Sequence, residues 1–218
     1  MQDDSHSQTL ADILSSRCTT KAMDERPWPI PQPDPKLIEQ ILSAAQEAPF
    51  HKPAARELRK QGLPGIQPWR CYTLDAKQCR TLRQHLIDTG DTTKIPKLLA
   101  VADYLIQVTW LPNPSTEPSS ELFDPSIQNM EHIAAASAAI QNMLLRATSL
   151  DIPNYWSSGG ALRTPEIFTL LSIPESEILL GSLLFFPKDL DGADVKGGSL
   201  RPSRSLKEDW SRPVRLRP

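Results

Sequence analysis

The chain has 218 residues, enough for one domain or one domain with a long arm. Apolar residues make up 39% and charged residues 23%, the profile of a globular protein with a substantial core. The net charge of −2 argues against a nucleic-acid partner, and the strongest apolar run, Ile178 to Phe186, is too short to span a bilayer.

Proline is frequent, at 21, and glycine scarce, at 9. The prolines gather in 27–35, 111–118 and 202–218, as they do in extended connectors. The N-terminal MQDDSHSQ is acidic and polar, unlike a signal peptide. Cys18, Cys71 and Cys79 lack zinc-type spacing and read as free thiols of a reducing cytoplasm. His6, His51, His85 and His132 form no metal-binding pair, so no metal is expected.

In chain order, residues 7–16 predict an amphipathic helix with Leu10, Ile13 and Leu14 on one side. Arg17-Cys18-Thr19-Thr20-Lys21 follows. Two cations flanking two hydroxyls suit a phosphate. They equally suit the C-terminal end of a helix dipole, which the residues alone favour. Residues 22–34 read as an extended connector. Asp34 then caps a helix with Pro35 in its first turn and Leu37, Ile38, Ile41, Leu42 and Ala45 as its apolar stripe. After Pro49, a basic stretch to Ile66 holds a short helix at 56–60. Cys71–Leu74 predicts a strand, 76–88 a helix, and Tyr104–Trp110 a buried strand. Residues 92–98 hold Lys94 and Lys97, and 111–124 form a polar, Pro-rich loop.

Residues 127–150 carry apolar side chains at helical spacing, with alanines on other faces. Such a helix is roughly 36 Å long, crosses a whole domain, and is buried on several sides. Pro153 ends it. A short strand, Asn154-Tyr155-Trp156, runs into Ser157-Ser158-Gly159-Gly160, where glycines allow close backbone approach to a flat or anionic ligand. A core helix, a strand and a plain turn describe the same residues, and this stretch alone favours that description. A helix from Thr164 to about Leu171 and a doubly covered strand over 177–186 follow. The tail 196–218 has seven basic and two acidic residues. Disorder, an anionic partner and a crossing onto a second subunit all fit it. The order of elements predicts an α+β fold with a mixed, mostly antiparallel sheet packed by helices. The apolar helices predict an obligate dimer.

These pieces together resemble the nitroreductase family of FMN-dependent oxidoreductases, over about residues 8–210. Arg17 to Asp24 looks like the family's opening Arg-x-Ser-x-(Lys/Arg) segment. Ala48-Pro49-Phe50-His51 and Gln67-Pro68-Trp69 are similar to its Ala-Pro-(Ser/Asp) and Gln-Pro-Trp pair. Trp156-Ser157-Ser158-Gly159 resembles its flavin-ring turn, and Ile178–Phe186 its late strand.

The resemblance implies an intertwined homodimer with two FMN sites at the subunit interface. It divides the chain into an FMN-binding domain, 1–195, and a basic arm, 196–218, crossing to the partner. It implies that Arg17 and Thr19 contact the phosphate or ribityl chain, with Cys18 lending its backbone. Lys21 is then near the pyrimidine edge of the ring. Pro49, Phe50 and His51 reach the other subunit's flavin. Trp156, Ser157, Ser158 and Gly159 line the ring, and Arg201 and Arg204 complete the phosphate site. The implied chemistry is ping-pong hydride transfer from NADH or NADPH to a small acceptor such as a nitroaromatic or quinone. No side chain is required as acid or base, and neither nucleic acid nor membrane is a partner. A non-catalytic flavin-binding or interaction protein on the same fold is the alternative. The sequence departs from the family at Cys18 and in the insertion between His51 and Gln67, which carries +3 over Lys52–Ile66.

Overall fold

A computed structural model describes residues 10–114, 122–206 and 209–214. Residues 7–9 of the first predicted helix, half of the 111–124 loop and parts of the tail lie outside that range. Its centre is a four-stranded sheet in the order β2-β3-β5-β4, formed by β2 (Trp69–Asp75), β3 (Tyr104–Trp110), β5 (Ile178–Phe185) and β4 (Asn154–Ser157). Every described pairing is antiparallel. β3 is buried at all seven positions because both its faces are covered.

Strand alternation divides the core into two layers. Ile106, Val108, Trp110, Leu183 and Phe185 pack under α2 (Pro35–Gln46) and α5 (Ile127–Ser149). Leu74, Leu105 and Leu184 face the opposite way, toward α3 (Ala76–Asp88), α4 (Ile95–Val101) and α6 (Pro165–Leu170). Helices on both faces of an antiparallel sheet make the α+β architecture that the sequence predicts.

Local chemistry fixes where these helices begin. Asp34 caps α2, accepting from the backbone N–H groups of Lys36 and Leu37 at 3.1 Å each. Asp75 caps α3 in a reciprocal box with Gln78. Thr164 caps α6, whose first residue is Pro165.

Three elements differ from the sequence reading. Residues 20–23, predicted to end a helix and begin a connector, form β1 (Thr20–Met23). Its partner is β6 (Asp194–Gly197), which spans the predicted start of the arm. The two pair as a separate ribbon, Thr20 opposite Gly197 and Met23 opposite Asp194. α4 is the third, hidden because six of its seven residues are buried and it has no polar face to give a period. The first helix is observed as α1 (Leu10–Ser16), with none of its residues buried.

The insertion closes on itself through Ala54 N–H to the Ile66 carbonyl at 2.9 Å. Ala54 and Leu58 pack on Leu111, and Leu58–Lys60 form one 3-10 turn where the short helix was predicted. Arg70 ties its base down, donating to the carbonyls of Gly65, Gln67 and Trp69 at 2.7–2.8 Å. Among the described residues no helix is long and apolar enough to cross a membrane, and no group of acidic, His and Cys side chains is arranged for a metal. The three cysteines are free.

Candidate functional site

The β1–β6 ribbon forms one wall of a cleft of about 860 Å³. Arg17, Cys18, Thr19 and Lys21 enter it from the β1 side, and Gly197 to Pro202 and Arg204 from the β6 side. Tyr155, on β4, closes one end. Four of the lining residues are cations and none is a carboxylate. Arg17, Cys18, Thr19, Lys21, Arg201 and Arg204, predicted from segments far apart in the chain, thus meet in one place.

The arginines have different duties. Arg201 donates to the carbonyls of Ser15 and Arg17, so it fastens the end of α1 to the tail. Burial lowers the Arg17 pKa; the Cys18 thiol acts the other way, and Arg201 and Arg204 lower it further. A guanidinium stays protonated under such a shift, so the cleft holds concentrated positive charge. Gly198 permits the close approach of the walls: a Cβ there would lie 3.2 Å from the Thr19 Cβ.

Sequence reasoning missed Tyr155 and Lys94. Lys94 Nζ donates to the Tyr155 hydroxyl at 3.1 Å, and the Lys21 and Lys94 ammonium groups each lie 5.3 Å from the ring centroid. Burial raises the phenol's pKa. The hydrogen bonds with Lys94 and Ser157 and the charges of both lysines outweigh burial and hold it below the ordinary tyrosine value. The sequence signal was weak, because the three residues come from three elements.

The remaining predicted residues lie elsewhere in the chain. Trp156 occupies the other face of β4 and rests on Gly181. Ser157 is buried and accepts from the Gly159 N–H at 3.2 Å. Gly159 has φ 102°, and a Cβ on it would lie 2.7 Å from Leu179 Cδ2, so conformation and space both demand glycine. Arg163 braces this turn by donating to the carbonyls of Ser158 and, at 2.6 Å, Leu179. Pro49, Phe50 and His51 line a separate hollow of about 330 Å³ with Glu131, Ala134, Ala135 and Ala138 of α5. No residue of the insertion lines the Arg17 cleft.

A family model described as Nitroreductase family matches residues 26–185, which hold the four-stranded sheet, the long central helix and the glycine turn after β4. The chain belongs to the nitroreductase family. A nitroreductase-like family protein from Bacillus cereus superposes with TM-score 0.62 at 19% identity, over 95% of this chain and 96% of that one. A Desulfovibrio desulfuricans protein in complex with FMN gives 0.60 at 19% identity, over 95% and 99% of the two chains. A nitroreductase with bound FMN from Bacteroides fragilis gives 0.55 at 18%, over 95% and 100%. These superpositions show a shared fold. Comparison with curated proteins returned no match. In this family member the cationic cleft is built largely outside the matched span, from residues 17–21 before it and 197–204 after it.

Proposed function

We propose that this nitroreductase is an FMN-dependent oxidoreductase that takes reducing equivalents from NADH or NADPH and passes them in ping-pong order to a small conjugated acceptor, such as a nitroaromatic or a quinone. One observation carries the reading: a cleft of about 860 Å³ lined by four cations and no carboxylate, with Gly197 and Gly198 in its wall. Its size falls within the range of small-molecule sites. The residues fit a phosphate-bearing cofactor. A phosphomonoester carries nearly two negative charges at neutral pH, and guanidinium groups bind it through charge-assisted, often bidentate bonds.

Arg17 and Arg204 would hold the phosphate, with the Thr19 hydroxyl as a further donor and Cys18 contributing backbone. Arg201 keeps the Arg17 backbone in place through the Ser15 and Arg17 carbonyls. Lys21 and Tyr155, which also line the cleft, would face the ring and its substrate. When bound, FMN supplies the hydride chemistry, and the protein supplies position and charge. The FMN complexes of the relatives support this reading.

The same reading includes a homodimer in a cytoplasmic setting. Ile127 and Met130 of α5 are 74% and 53% exposed, beside the hollow of Pro49, Phe50 and His51. A second copy seated on that face brings those three residues against its own site. On this reading the chain divides into an FMN-binding domain, 1–195, and an arm, 196–218, that would reach the partner.

Colour tests the proposal. The purified protein should be yellow or bind added FMN, and anaerobic NADH or NADPH should bleach it. Protein that takes up no FMN overturns the reading. Protein that holds FMN but is bleached by neither nicotinamide is a binding protein and not an enzyme.

A further inference from the structure

We propose that Tyr155 is a proton-donating residue of this cleft, its phenol held between the ammonium groups of Lys21 and Lys94 so that it protonates the oxygen of a bound acceptor. The proposal rests on the functional reading above, which supplies the acceptor and the hydride.

The geometry isolates this phenol. Its ring sits on the sheet in register with Leu184, which in turn pairs with Leu105, so the strand fixes its position. Only about a tenth of the residue is exposed, yet it lines the cleft. Charge reaches it from each side. Lys21 comes from β1, and Lys94 from the residue preceding α4, with Nζ 3.1 Å from the hydroxyl. Ser157, on its own strand, bonds to it as well. Arg17, Arg201 and Arg204 are the other charged groups of the cleft, and no carboxylate lines it. Every nearby charge therefore favours the phenolate that remains after proton loss.

The other two tyrosines of the chain are held the opposite way. Burial raises Tyr72, and Glu177, which accepts from its hydroxyl at 2.8 Å, raises it further. Burial also raises Tyr104, whose hydroxyl is bonded to the Asp34 backbone. The Tyr155 environment is thus a local arrangement that the rest of the protein does not share.

The step balances simply. Addition of a hydride to a quinone leaves a hydroquinone monoanion. The Tyr155 O–H bond breaks and an O–H bond forms on that anion, giving hydroquinone and a phenolate. The Lys94 ammonium returns a proton to the phenolate along the existing hydrogen bond and regains one from water. No further oxidant or reductant is needed, because the nicotinamide donor has supplied the hydride.

Two measurements test it. The first is an alkaline ultraviolet difference titration of the FMN-free protein. One phenol should ionise before the others, that step should vanish in Tyr155→Phe, and it should move to higher pH in Lys94→Met. Survival of the early step in Tyr155→Phe overturns the assignment. The second compares a quinone with ferricyanide, a one-electron acceptor that takes no proton, on the FMN-loaded enzyme. Tyr155→Phe should slow the quinone reaction about 100-fold or more, the usual size of general acid catalysis, and the ferricyanide reaction far less. Equal losses with both acceptors overturn the donor role and leave the functional reading intact. Failure of the wild type to take up FMN overturns the functional reading, and the donor role with it.

Discussion

Gly181 lies mid-strand in β5 directly beneath Trp156, and replacing it with alanine should set two side chains against each other. A Cβ at Gly181 would fall 2.0 Å from Trp156 Nε1, 2.6 Å from Cδ1 and 3.1 Å from Cε2. Carbon and nitrogen cannot approach that closely, so the indole must leave its seat. Trp156 is 37% exposed and so has somewhere to go, which limits the damage to loss of its contact with the strand. Overpacking of this kind costs about 1–3 kcal/mol. For a domain of this size, each kcal/mol moves Tm by about 2–4 °C, so Gly181→Ala should melt about 2–12 °C lower. In the Trp156→Ala background the sign should reverse. All three nearest atoms belong to the indole, and alanine within a strand is favoured over glycine by about 0.5–1 kcal/mol. Urea unfolding of the four proteins gives the cycle, with an expected coupling of about 1.5–4 kcal/mol from those two magnitudes. An equal effect of Gly181→Ala in both backgrounds would refute the steric argument. Because Trp156 opens the glycine turn, its displacement should also change the protein's tryptophan emission.

Other outcomes follow from the same structure. Arg17→Ala should weaken FMN binding by about 1.5–3 kcal/mol, roughly 10- to 150-fold, and Lys21→Ala by less; equal affinity in wild type and Arg17→Ala would sink the phosphate assignment. Sedimentation should show a wild-type dimer that Met130→Glu converts to monomer, whereas a folded, FMN-loaded wild-type monomer would contradict the exposed α5 face as an interface. Burial holds the Glu177 carboxyl above the usual 4.5, against opposing hydrogen bonds from Thr109 and Tyr72 and the charge of Arg70. A raised folded pKa means that its contribution to stability is present below 4.5 and lost as pH rises through the folded value. Wild type should therefore lose more stability than Glu177→Gln between pH 4.5 and neutrality; parallel urea midpoints across that range would exclude the effect.

What the sequence disclosed depended on how local the signal was. The α3 bounds, β3 and most of α5 were readable because their patterns repeat within the element itself. β1 and β6 were not. TKAM and DVKG are short and half polar, and each becomes a strand only by pairing with the other. The phosphate-suited Arg17 segment was legible as chemistry, but its meeting with Arg204 depends on that unread ribbon. The Tyr155 cluster was invisible for a related reason. Lys21, Lys94 and Tyr155 are unremarkable until β1, the turn before α4 and β4 bring them together. Arg163 and Gly181 escaped notice because their partners, a backbone carbonyl and an indole, are fixed only by the completed sheet.

The β1–β6 ribbon also sets an order on how the protein comes into being. Thr20 waits for Gly197, so nearly the whole chain must leave the ribosome before the first strand has a partner. The main sheet needs nothing beyond Phe185 and can form while the tail is still being made. The wall of the cationic cleft is therefore among the last parts to be assembled, and any ligand that needs both walls must wait for it. A chain truncated after residue 185 would retain the span that identifies the family, yet would lack one whole side of the cleft.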